Sequence, residues 1–258
     1  MELKETQSVE TKQQQAVQIN PYQDYVNEQD YVSFKKLMKF QEDIRNSYAS
    51  ITTDPKLKQF KTDCNKAILS AINAVCLGSE SNLREQLERL RCVLSGATVD
   101  MTGKRFSAKS HPLGVTYCKD LLAIKIVEQG QNVVPTKPEY TFPYAFLAIS
   151  LWSEFPDFGQ LLLAQFYKIC PCLVPLYMPR LEGQTNEEYK TALGYRIKSG
   201  VVEDQVSFLC RMAGVARVYA ALAISPLPNS RLAHPHGIEN IWHWLAAVLN
   251  MSPRPDKI

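Results

Sequence analysis

The stretch VEDQVSFLCRMAGVARVYAALAI, residues 202–224, decides the fold class. Apolar groups recur through it at helical spacing, so it predicts one long helix, interrupted only by Gly214 and ended before Pro226. Its one oddity is Arg211, set inside VSFLCRMAGV. A cation buried there without a partner would cost several kcal/mol, roughly the effective desolvation penalty of an ion. Arg211 therefore needs an anion or a carbonyl nearby.

The same helical spacing extends outward in both directions. Val32, Phe34, Leu37, Met38, Phe40, Ile44 and Tyr48 trace a stripe beside Lys35, Lys36 and Lys39. Asp54-Pro55 reads as a cap with proline in the first turn, opening a second helix that Gly78 closes. A third helix is capped by Ser81 or a neighbour and ends at Leu94-Ser95-Gly96. Further helices are expected over 115–129, 144–155, 158–169, 186–195 and from Pro235 to Asn250. Residues 97–112 read as a long polar loop, and CPCLVPLYMP holds too many prolines for a long helix. Strand-like alternation is confined to short pieces near 174–177. The fold class this predicts is all-α, about nine helices stacked as an irregular, HEAT-repeat-like α-solenoid without a fixed sequence period. Residues 1–28, rich in Gln, Glu, Lys and Thr, are expected to be disordered, and 29–258 to form the helical domain.

Composition narrows the function classes. A net charge of +3 announces no global field for nucleic acid or membrane, so any basic site must be local. The run Tyr144 to Leu151 falls short of the ~20 residues that a membrane span needs, and the polar N-terminus does not read as a signal peptide. Seven cysteines lying mostly in apolar helical patterns favour a reducing compartment, cytosol or nucleus. Cys170-Pro171-Cys172 is the one suggestive pair, tighter than CxxC. No GxSxG, HExxH, P-loop or GxGxxG occurs, which argues against an enzyme and names no catalytic residue. HPHGIENIWHWL, residues 234–245, gathers three of the four histidines, yet its spacing suits a helix entry better than a metal site, with Trp242 and Leu245 on an apolar seam that Ile238, Ile241 and Leu249 help to close. Between Tyr31 and Ser70, eight Lys and Arg face four acids. Lys35 and Lys39 share one helix face and Lys58 and Lys61 another, an arrangement that could converge on a polyanion.

HPHGIENIWHWLAAVLNMSP, LLLAQFYKICPCLVPLY, LGYRIKSGVVEDQVSFLCRMAGVARVYAA, and LSGATV followed by HPLG and VEQG together resemble the C-terminal domain of the GLE-one family of nuclear-pore mRNA export mediators. The resemblance runs from about Val32 to Pro253. It implies a HEAT-like fold akin to the middle domains of translation initiation scaffolds. It also implies a non-enzymatic activator that binds a DEAD-box RNA helicase and stimulates its ATPase at the cytoplasmic face of the nuclear pore, among nucleoporins. The presence in cytoplasm or nucleus, the links to translation initiation and termination factors, and the absence of membrane or sequence-specific nucleic-acid contacts follow from the same resemblance. In fungal members inositol hexakisphosphate sits in a basic pocket. Carried over, that pocket falls on Lys35 or Lys39, Lys58 or Lys61, Lys125, Lys168 and Arg211. Leu121, Gln165 and Ile169 stand where the fungal pattern is basic, each loss expected to weaken polyanion binding by ~1 kcal/mol or more. The family domain continues for several helices past Pro253. The resemblance therefore implies a shortened C-terminus and an apolar face at Trp242 and Leu245 left for a partner. The competing expectation is a HEAT-like scaffold that binds RNA or translation factors without stimulating an ATPase.

Overall fold

A computed structural model describes residues 28–101, 103–176, 180–229 and 231–250, so the segment expected to be disordered lies almost wholly outside the described residues. Among the described residues ten α-helices carry the fold: α1 Glu28–Ser47, α2 Ala49–Thr53, α3 Lys58–Asn73, α4 Glu80–Ser95, α5 Gly114–Asn132, α6 Thr141–Glu154, α7 Pro156–Ile169, α8 Asn186–Ala192, α9 Gln205–Ile224 and α10 Ile238–Asn250. The result is an all-α, solenoid-like stack, as the helical spacing predicts.

Local chemistry sets the helix starts. The Asp54 side chain accepts from the Lys56 amide, and Pro55 opens a 3-10 turn that runs into α3. Ser79, rather than Ser81, caps α4, and α8 begins with a full capping box between Thr185 and Glu188. Asp204 caps α9 through the Ser207 amide, which is why that helix starts at Gln205 and not at Val202.

Two antiparallel hairpins correct the all-helix expectation locally. β1 Thr98–Met101 pairs with β2 Lys104–Ser107, so the presumed loop is mostly a hairpin. Phe106 is buried against Phe60 of α3, and Lys104 pairs with Asp63, anchoring the hairpin to that helix. β3 Ile197–Lys198 pairs with β4 Val201–Val202. Its turn places both Ser199 (φ 52°) and Gly200 (φ 78°) in left-handed conformations, the primed geometry that matches strand twist. These strands are too short to show in the period-2 pattern, because each offers only one or two inward positions.

The core sits around α5, which packs against α3, α4, α7 and α9. α6 is buried along most of its length against α7 and α9. α9 is long and apolar enough to cross a membrane by length and composition, but half of that stretch is buried inside this fold. Helices α5 and α9 meet backbone to backbone. A Cβ on Gly214 would stand 2.2 Å from the Gly130 carbonyl oxygen and 2.8 Å from the Pro135 ring. Gly214→Ala is therefore expected to destabilise by at least 1–3 kcal/mol, roughly the cost of overpacking, read as a lowered urea midpoint. An unchanged midpoint would mean the two helices separate without cost.

Candidate functional site

Helices α1, α5 and α7 pack on one another, and a polar network ties them together. Arg45, in the last turn of α1, grips the fully buried Asp120 of α5 in two hydrogen bonds, Nε to Oδ2 at 2.9 Å and Nη2 to Oδ1 at 3.2 Å. The Tyr48 hydroxyl donates to the same carboxylate at 2.5 Å. Arg45 Nη2 also donates to Gln165 Oε1 at 3.1 Å, and Gln41 Nε2 reaches that oxygen at 3.3 Å. Burial and the Asp120 carboxylate push the Tyr48 hydroxyl well above its ordinary range. Gln165 thus supplies an acceptor to Arg45. A lysine at this position would face that guanidinium instead of accepting from it.

The cations proposed from sequence distribute unevenly. Lys35 and Lys39 are exposed on α1, and Lys168 is exposed at the end of α7. These helices meet where Phe34 contacts Tyr167, ring centres 6.4 Å apart. Lys125 is half-buried on α5 and already bonded to Glu128 at 2.8 Å. Lys58 and Lys61 are exposed at the start of α3, where their neighbour Phe60 packs on His111 and Phe106 instead. Of the three positions expected to depart from a basic pattern, Leu121 and Ile169 are half-buried and pack against the core, whereas Gln165 is buried in the network.

Arg211 is of another kind. It is 5% exposed, and its guanidinium meets Glu203 through Nε at 3.0 Å and Nη2 at 2.5 Å. Two of its three remaining hydrogens go to the Gly194 carbonyl at 2.8 Å and to Gln131 Oε1 at 3.2 Å. The required anion and carbonyl are both present, so this charge is consumed internally. The guanidinium hydrogen bonds hold the Glu203 carboxyl below its ordinary value despite its burial. Arg196 Nη2 shares Gln131 at 2.7 Å, binding the β3–β4 hairpin to the end of α5.

The histidine-rich segment does not converge. His234 Nε2 lies 3.2 Å from the Ser225 carbonyl while its Nδ1 accepts from the His236 amide at 3.2 Å, a pattern that puts the proton on Nε2. His236 is buried between Trp152 and Tyr219, with ring centres 5.1 and 5.2 Å away. His243 faces Asp30 of α1 at 3.0 Å. Among the described residues no group of three or more His, Cys, Asp and Glu is placed to hold a metal. Of the residues expected on the apolar seam, Ile241 packs against the core, whereas Trp242, Leu249 and Ile238 are 64%, 74% and 47% exposed, because among the described residues no element covers that side of α10.

Sequence reasoning missed Arg45 and Asp120. The available signal was Asp120 itself, an acid inside the apolar run of α5, which needed a cation as Arg211 needed an anion.

The fold and this network define a helical scaffold in which α1, α5 and α7 are tied together by buried polar contacts. The chain belongs to the GLE1-like protein family, whose model matches residues 35–257. It is 38% identical over 205 residues to the mRNA export factor GLE1 of Mus musculus, covering 79% of this chain and 29% of that protein. It is 34% identical over 230 residues to Gle1 of Drosophila melanogaster, covering 85% and 34%. The chain thus spans about a third of the length of these relatives. A chain in the solved structure of the Saccharomyces cerevisiae Dbp5 C-terminal domain bound to Gle1 and IP6 is similar in fold, with TM-score 0.65, 20% identity, and coverage of 86% of this chain and 75% of that one.

Proposed function

We propose that residues 29–258 act as an mRNA export domain that binds a DEAD-box RNA helicase and stimulates its ATPase, itself catalysing nothing. It would work at the cytoplasmic face of the nuclear pore and in the cytoplasm, with nucleoporins and translation factors as further partners. The family match over residues 35–257 carries this reading. The likeness in fold to a chain from a complex of Dbp5, Gle1 and IP6 supports it. The test is steady-state ATPase of a DEAD-box helicase with RNA, with and without this chain and inositol hexakisphosphate. No stimulation in either case would leave the scaffold reading, binding without activation.

For the polyanion, we assign the central role to Lys35, Lys39, Lys125 and Lys168, with Lys58 and Lys61 at a separate edge. Arg211 is left out because Glu203 already occupies it. Lys168→Gln is expected to weaken inositol hexakisphosphate binding about tenfold, roughly 1.4 kcal/mol, the scale of one charge-assisted hydrogen bond. Glu128→Gln should do the opposite, because it frees Lys125 and removes a negative charge beside it. Calorimetric titration at fixed ionic strength reads both changes. If neither variant alters the affinity, the polyanion sits elsewhere.

A further inference from the structure

The Cys170-Pro171-Cys172 turn follows α7 and takes no part in the polar network of α1, α5 and α7. The two sulfurs stand 3.1 Å apart, both as free thiols, with Cys170 buried and Cys172 exposed. Two Cα steps of about 3.8 Å set an upper limit near 7.6 Å on the separation of residues two apart. The turn closed by the Leu173 amide on the Cys170 carbonyl, at 3.0 Å, folds the pair tighter than that limit. Disulfides take Cα separations below about 7 Å and an S–S bond of about 2.05 Å, so closure needs a sulfur displacement of only about 1 Å.

The same turn holds the last described helix. Trp244 Nε1 of α10 donates to the Cys172 carbonyl at 3.0 Å, and that helix has few other polar ties, His243 to Asp30 among them. We propose that Cys170 and Cys172 form a reversible intramolecular disulfide, with a small-molecule disulfide as oxidant, and that its closure loosens α10 through the Trp244 hydrogen bond.

Cys172 starts the exchange, since it is the exposed member. The hydrogen bond from the Cys170 thiol holds it below its ordinary thiol value, while that shared contact and burial raise Cys170. The Cys172 thiolate attacks one sulfur of the oxidant, breaking its S–S bond and releasing one thiol. Cys170 then gives up its proton and attacks the Cys172 sulfur, releasing the second thiol. Two electrons and two protons pass from the cysteine pair to the oxidant, which ends as two thiols. Proline between the cysteines fixes its own φ, so the contraction must be shared by the flanking backbone, including the carbonyl that Trp244 holds.

The experiment treats the folded chain with glutathione disulfide, digests it with trypsin without reduction, and weighs the peptide of residues 169–180. The expected peptide is lighter by two hydrogens, while the exposed Cys76 and Cys210 gain glutathione adducts. In Cys170→Ser, Cys172 should be trapped as the mixed disulfide. A parent chain in which Cys172 keeps glutathione, or stays reduced while Cys76 and Cys210 react, would overturn the disulfide. Hydrogen exchange of residues 238–250 should become several-fold faster on oxidation and return on reduction. Unchanged exchange in the oxidised form would overturn the coupling to α10.

Discussion

Glu203→Gln is expected to lower stability by about 3–5 kcal/mol, the usual cost of removing one member of a buried ion pair. At this chain length that is a fall in Tm of about 10 °C. Arg211 is only 5% exposed and cannot swing into water, so the variant strands a guanidinium in the core. Its remaining partners, the Gly194 carbonyl and Gln131, are neutral, and Gln131 is already shared with Arg196. The effect should spread beyond one contact, because the same charge fastens β3–β4 to α5 and α9. A double replacement, Glu203→Leu with Arg211→Met, should recover most of the loss, since no charge is then left uncompensated. If the single variant melts like the parent, the pair must be open to solvent and Arg211 returns as a candidate ligand for the polyanion. Thermal unfolding of the three chains side by side decides the matter.

Acid should cost the fold about 3 kcal/mol through His236 alone, at 1.36 kcal/mol for each unit that its pKa is displaced. Burial beneath Trp152 and Tyr219, aided by the neighbouring His234, pulls its pKa from 6.5 down to about 4, with Glu239 opposing weakly. Its Nε2 has no hydrogen-bond partner among the described residues, so none of them receives the proton of the charged form. Above pH 6.5 the ring is neutral in the folded and unfolded chains alike and adds no pH dependence. Below that value the unfolded chain takes up a proton that the folded chain refuses until pH approaches 4. Stability should therefore decline across this window and level off beneath it, as far as this residue is concerned. Urea unfolding at a series of pH values reads the decline, and His236→Phe, which keeps a ring in the sandwich, should flatten it. Parallel curves for parent and variant would assign the acid loss to other groups.

Most helix starts were legible because a cap is a local event. Asp54-Pro55, which opens the turn into α3, announces itself within a few residues, although the assignment of the α4 cap slipped by two positions to Ser79. The hairpins escaped because strands of two to four residues are too short to show a period, and Phe106 declares its inward face only against Phe60. Trp242 misled for a related reason. Helical spacing marks an apolar face on α10 but does not say whether anything packs against it.

The candidate site shows the same division. Sequence alone determined that this is a stacked all-α chain of the GLE-one type, that Arg211 needed an anion or a carbonyl, and which cations were available for a ligand. Only the tertiary structure decided which of those cations are already spent. Arg45 meets Asp120 across 75 residues, and Gln165 joins them across 120, through helices that nothing local instructs to meet. Periodicity records where each helix is apolar, since water acts on every residue separately. The partner of a charge is fixed by contacts near 3 Å between distant segments, and those distances exist only once the helices have packed.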